Sequence, residues 1–126
     1  MRAYLEQENA YTKAKTEHLA PLKAKLYEEM VARVQQTDLS VPVRKGGFYY
    51  YTRTVEGKQY PIYCRKPASA DGSHDEAAAE LVLLEQNTMA EGLTYLGFGD
   101  IQVSDDDNLY AYTTDITGFR QYTLHV

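Results

Sequence analysis

Two stretches of the chain, about sixty residues apart, carry the same hairpin pattern, and this repeat restricts the fold more than any other feature. Aligning residues 49–62 with 110–124 matches Tyr49 with Tyr110, Tyr51-Thr52 with Tyr112-Thr113 and Gly57 with Gly118. With one inserted residue, Gln59-Tyr60 then matches Gln121-Tyr122, and Ile62 matches Leu124. Both copies read Tyr-x-Tyr-Thr…Gly…Gln-Tyr-x-aliphatic. In the first copy, "GFYYYTRT" and "QYPIYCR" flank "VEGK", where Gly57 is free to take a positive φ. A hairpin repeated at this spacing predicts neighbouring blades of a β-propeller, somewhat longer than the usual repeats of about 40–50 residues.

The rest of the chain is organised around that repeat. The first forty residues carry helical spacing, and Pro21 suits the first turn of a second helix, where its missing N–H costs nothing. Leu22, Leu26, Met30 and Val34 then recur every fourth residue, flanked by Tyr27 and Val31. Pro42 marks where this helix has ended. Beyond it come short β-rich runs. Pro61 cannot donate to a ladder and marks a bulge or unpaired edge in the second strand of the first hairpin. "PASADGSHDEAA" reads as a polar loop, "ELVLLE" as a strand, although its preceding alanines leave a helix possible, and "NTMAEG" as one helical turn capped by Asn87. "FGDIQVS", "NLYAYTTD" and "RQYTLHV" are three more strands. The fold class is therefore α+β: two N-terminal helices over residues 1–40, then antiparallel hairpins over 41–126 that begin a propeller. The last residues, "QYTLHV", alternate as a strand and stop without a turn, so the chain is expected to be the N-terminal piece of something longer.

Composition narrows the function classes. The chain has 126 residues, 44% hydrophobic and 25% charged, enough for one globular domain. A net charge of −5 argues against nucleic acid as a partner, which would need clustered Lys and Arg. No apolar run reaches the roughly 18 residues of a membrane span, so no membrane partner is expected. The opening "MRAYLEQENAYTKAK" has charges where a secretion signal has its apolar region, and a lone Cys64 excludes an internal disulfide. Together these favour a cytoplasmic location.

The candidates for chemistry are few. "GSHDE" sets Ser73, His74 and Asp75 side by side, but a triad needs the imidazole between its partners, which three adjacent side chains do not readily provide. Asp105, Asp106, Asp107 and Asn108 are hard oxygen donors, yet they lack the spacing, glycine and terminal glutamate of a calcium loop and read as a charged turn. Cys64 reads as a packed thiol, and His18 and His125 stand alone. Glu29 and Arg33 are spaced for an i,i+4 ion pair. The tyrosines of 49–51 alternate, Tyr49 and Tyr51 on one strand face, Phe48 and Tyr50 on the other, as in a strand packed on both sides rather than a stacking platform. No residue is expected to be catalytic, and none to bind a cofactor or metal.

"ENAYT", "LYEEM", "SVPVRKGGFYYYTR", "GKQYPIYCRK", "LLEQNTMAEG" and "YLGFGDIQVSDDDNLYAYTTDITGFRQYTL" occur in the order seen in the oligopeptidase B branch of the prolyl oligopeptidase family of serine peptidases. The chain resembles that branch over essentially residues 2–126. One departure is Ser104-Asp105-Asp106, where the propeller turn usually reads Ser-Pro-Asp. The resemblance implies a seven-bladed propeller that admits only short peptides to an α/β-hydrolase domain, with cleavage after Lys or Arg. It also implies that the N-terminal helices pack on that C-terminal domain, the partner that carries the catalytic Ser, Asp and His. This sequence contains no G-x-S-x-G, so no catalytic position carries over. The alternative is a stand-alone, non-enzymatic interaction module that pairs through its sheet edges. Either way, unpaired edges and an uncovered Leu22/Leu26/Met30/Val34 stripe would favour self-association.

Overall fold

The computed structural model describes residues 2–126. Its contacts divide the chain into a unit ending at Gln35 and a second unit, Gln36–Val126.

In the first unit, helix α1 spans Arg2–Thr16, a 3₁₀ turn covers Glu17–Leu19, and helix α2 spans Ala20–Val31. Pro21 sits in the first turn of α2, as its fixed φ favours. The helix closes at Val31, with the Ala32 amide bonded back to Glu28 O at 2.9 Å, so Val34 falls beyond it. The apolar stripe is thus Leu22, Leu26 and Met30, and no residue of either helix is buried. Glu29 pairs with Lys25 at 3.9 Å instead of Arg33, because Arg33 lies outside the helix and loses the i,i+4 geometry.

The second unit holds two antiparallel sheets. Strands β1 (Val43–Lys45), β2 (Phe48–Arg53), β3 (Ile62–Pro67) and β4 (Leu81–Glu85) form a four-stranded meander in chain order. After the single-turn helix α3 (Gln86–Met89) come β5 (Gly97–Val103), β6 (Tyr110–Asp115) and β7 (Thr123–His125), a three-stranded meander. Aromatic and β-branched residues fill β2 and β6, as a half-buried pleated surface favours.

The two hairpins match more closely in space than in the alignment. Thr52 pairs with Tyr63 in the first, and Thr113 with Leu124 in the second. Tyr51 pairs with Cys64, and Tyr112 with His125. The same offset relates all these positions and also Gly57 to Gly118, whose φ angles are 77° and 76°. No inserted residue is therefore needed: Tyr63, not Ile62, is the counterpart of Leu124, and the shared Gln-Tyr lies in the loop, where it sets no register.

Two local expectations also change. Pro61 stands just ahead of β3, and the ladder irregularity lies between Tyr63 and Cys64, where β3 meets β4. Helix α3 is capped by Glu85, whose carboxylate accepts from the Asn87 amide at 3.1 Å, so Asn87 is inside the helix. The Asn87 side chain instead holds the hairpin loop, bonding both the N–H and the C=O of Tyr60. The apolar core of the first sheet is Tyr51, Ile62 and Cys64, with Val55 packed against it. Leu84 of β4 and Leu96, just ahead of β5, are buried as well.

Candidate functional site

Because side chains alternate along β2, its aromatic rings serve two different surfaces. Tyr49 and Tyr51 meet the long loop between β3 and β4, residues 68–80. The Tyr49 hydroxyl donates to Gly72 O at 2.9 Å, and Arg44 Nη1 donates to the same oxygen at 3.1 Å. The His74 ring stands edge-on to Tyr49, with centroids 5.0 Å apart. Lys66 Nζ donates to Glu76 O at 2.6 Å. At the end of the loop, Glu80 accepts from the Tyr51 hydroxyl at 2.5 Å and from Arg53 Nε at 3.1 Å. The loop is thus folded onto the sheet by named contacts. A cavity of about 450 Å³ lies beneath it, lined by Leu39, Tyr51, Lys66, His74, Glu76 and Glu80 among others.

The electrostatics of this face hold charges in place. The Tyr51 hydrogen bond depresses the Glu80 carboxyl below the usual glutamate range; burial opposes that, and Arg53 reinforces it. Burial, followed by the nearby Glu80 charge, pushes the Cys64 thiol up to about 11. Cys64 is 1% exposed, so it is a packed, protonated thiol rather than a nucleophile. The "GSHDE" trio does not converge. Ser73 Oγ donates to Asp71 at 2.7 Å, and Asp75 accepts from the Ala77 amide at 2.8 Å. His74 Nε2 is buried without a hydrogen-bond partner.

Phe48 and Tyr50 face the second sheet. The Arg65 guanidinium lies 3.9 Å over the Phe48 ring, and its Nη1 donates to Tyr50 Oη at 3.2 Å and to Asp107 O at 2.9 Å. The Asp107 carboxylate accepts from the Tyr50 hydroxyl and from the Gly47 amide, each at 3.1 Å. Lys45 Nζ donates to Val103 O at 2.9 Å. The neighbouring Asp106 instead organises its own loop. Ser104 donates to it at 2.5 Å and Asn108 binds it through side chain and backbone, which holds its carboxyl down at about 2. The aspartates therefore divide between turn and junction, and among the described residues no group of three or more His, Cys, Asp or Glu is arranged to hold a metal ion.

Between the sheets lies a cavity of about 400 Å³, lined by Val43, Tyr50, Leu83, Ile101, Val103 and Tyr110 among others. The Tyr110 hydroxyl is buried there without a partner, and burial raises its pKa. His125 stacks on Tyr112 at 4.9 Å, with Nε2 2.8 Å from Thr114 Oγ1, while His18 is exposed in the 3₁₀ turn. Asp115 is 2% exposed. Burial works to raise its carboxyl, but donors from Thr117, Arg120 and Gly118 outweigh that and hold it below the usual range.

Glu80, Arg65 and Asp107 carry most of this organisation; Glu80 and Arg65 do not stand out in the sequence, and Asp107 reads there only as part of a charged turn. Their partners lie a loop or a sheet away. The available signal was the hairpin register, which sets Arg65 opposite Tyr50. Chemically, the arrangement fixes loops and joins sheets.

The sequence matches the family described as "Prolyl oligopeptidase, N-terminal beta-propeller domain" over residues 1–126. It is 44% identical to dipeptidyl aminopeptidase BI of Pseudoxanthomonas mexicana, over 98% of this chain and 18% of that protein. It is 37% identical to Protease 2 of Moraxella lacunata, again over 98% of this chain and 18% of that protein. The structure of oligopeptidase B from Leishmania major superposes with a TM-score of 0.78 at 31% identity, covering 98% of this chain and 17% of that one. The chain thus spans less than a fifth of the relatives it matches. By sequence and by fold alike, the chain belongs to the prolyl oligopeptidase family, and its residues fall in that family's N-terminal β-propeller domain.

Proposed function

We propose that this chain is the opening scaffold of a serine oligopeptidase that cleaves short peptides after Lys or Arg. In this reading the two sheets are the first blades of a seven-bladed propeller that limits access by size. The N-terminal helices pack on a C-terminal α/β-hydrolase domain that supplies the catalytic serine, and the present residues are not themselves catalytic. The observation that carries the reading is the likeness to oligopeptidase B of Leishmania major, which extends over 98% of the chain in both sequence and fold. The blade-like meanders and the matching φ angles of the two turn glycines support the propeller part of it.

A second activity within the family has an observation of its own, the 44% identity to a protein named as a dipeptidyl aminopeptidase. The full gene product, assayed on an N-terminally blocked arginyl or lysyl peptide amide and on an unblocked dipeptidyl amide, separates the two. Hydrolysis of the blocked substrate, stopped by a serine-directed inhibitor, is expected. Release of dipeptides from the unblocked substrate alone would replace this reading with the second. No hydrolysis of either would overturn both and leave the interaction module.

A further inference from the structure

The apolar core cluster, Tyr51, Ile62 and Cys64 with Val55, lies within the first sheet and its hairpin loop, and the space between the sheets contains the cavity of about 400 Å³. The bonds that cross this space are polar. Tyr60 Oη donates to Leu96 O at 3.2 Å from the first hairpin loop. The others gather where the Gly46-Gly47 turn of the first sheet meets the loop between β5 and β6. There Asp107 takes the Gly47 amide and the Tyr50 hydroxyl on its carboxylate and Arg65 on its carbonyl, beside the Lys45–Val103 bond.

The backbone on both sides is shaped for this contact. Asp107 has φ 59°, a left-handed conformation that aspartate tolerates better than most residues. Gly46 has φ 57°, and a Cβ there would collide with the Asp107 carboxylate. Arg65 is held flat on Phe48 and directed at the loop. The equivalent positions along the two meanders thus differ where they touch: a two-residue glycine turn on one sheet, a longer acidic loop on the other.

We propose that Asp107 is an inter-sheet clamp that makes the two sheets open as one cooperative unit. While it is engaged, opening either sheet breaks the same charge-assisted bonds; without its carboxylate, only the Arg65–Asp107 carbonyl, Lys45–Val103 and Tyr60–Leu96 bonds remain, and the two sheets open with different free energies. The test is native-state hydrogen exchange on the full gene product, following amides in Phe48–Arg53 and Gly97–Asp115. In the unmodified protein the slow amides of both segments should share one opening free energy. Asp107→Asn keeps the tolerance for a positive φ but removes the charge. It should speed exchange in the second sheet by about tenfold and split the two segments, the order expected for losing a hydrogen bond to a charged group. Tyr50→Phe removes one arm of the clamp without touching the loop, and should split the segments in the same direction by a smaller factor. The double substitution should cost less than the two single effects combined, because both act on the Tyr50–Asp107 contact. Faster exchange confined to residues 104–109, or effects of the two substitutions that simply add, would overturn the proposal. Should Asp107→Asn fail to fold, Tyr50→Phe decides the matter, because unsplit segments in that variant also overturn it.

Discussion

Glu80 shows how much of this chain is organised by single polar residues. It ties the 68–80 loop to β2 through the Tyr51 hydroxyl and the Arg53 guanidinium, whose side chain, like its own, is less than one-third exposed. Its folded carboxyl lies below the ordinary glutamate value, so the unfolded chain binds the proton more readily. The stabilisation is therefore complete above the unfolded value, about 4, and is lost as pH falls through the lower folded value. Glu80→Gln should cost about 1–2 kcal/mol near neutral pH, where an amide replaces a paired carboxylate. Denaturant midpoints of both proteins across the acid limb check this: the gap should narrow as pH drops below about 4. A gap that stays constant into acid would show that the carboxylate charge contributes nothing.

At the scale of elements, the hairpin repeat was legible because it depends on local chemistry. Alternating aromatics specify a strand face, and a glycine at the turn specifies a positive φ. The inserted residue of the alignment has a local origin too: Gln59-Tyr60 and Gln121-Tyr122 are alike in letters but lie in loops, where they set no register. The sequence points to a cap at Asn87 and a Glu29–Arg33 pair; the structure has Glu85 and Lys25–Glu29 instead, because each depends on where a helix begins or ends, a boundary that periodicity locates to within a turn. The glycines differ in a way that sequence does not reveal. Gly57 and Gly46 both have positive φ, but a Cβ on Gly57 meets nothing within 4 Å, whereas on Gly46 it strikes Asp107. Gly57→Ala should cost about 1 kcal/mol from the backbone alone. Gly46→Ala should cost at least about twice that, because it also displaces a hydrogen-bonded carboxylate. Equal denaturation midpoints for the two variants would contradict the crowding at Gly46.

For the whole molecule, the family was legible because its signature stretches are the structural ones: strands, turns and the loops that cross between sheets. The tyrosine-rich segment that first invites a ligand is accounted for by its neighbours, Tyr49 and Tyr51 under the 68–80 loop and Tyr50 at the junction with the second sheet. The junction itself was illegible, since Arg65 and Asp107 meet across forty positions of chain with no local pattern to announce them. On the proposed function, the chemistry of the full gene product belongs to residues outside this chain. The most direct measurement is to label the full gene product with a serine-directed fluorophosphonate and map the modified peptide by mass spectrometry. The label should fall on a serine beyond residue 126, and preincubation with a blocked arginyl inhibitor should suppress it. Stoichiometric labelling of Ser40, Ser69, Ser73 or Ser104 would contradict the scaffold reading and place the chemistry in these sheets.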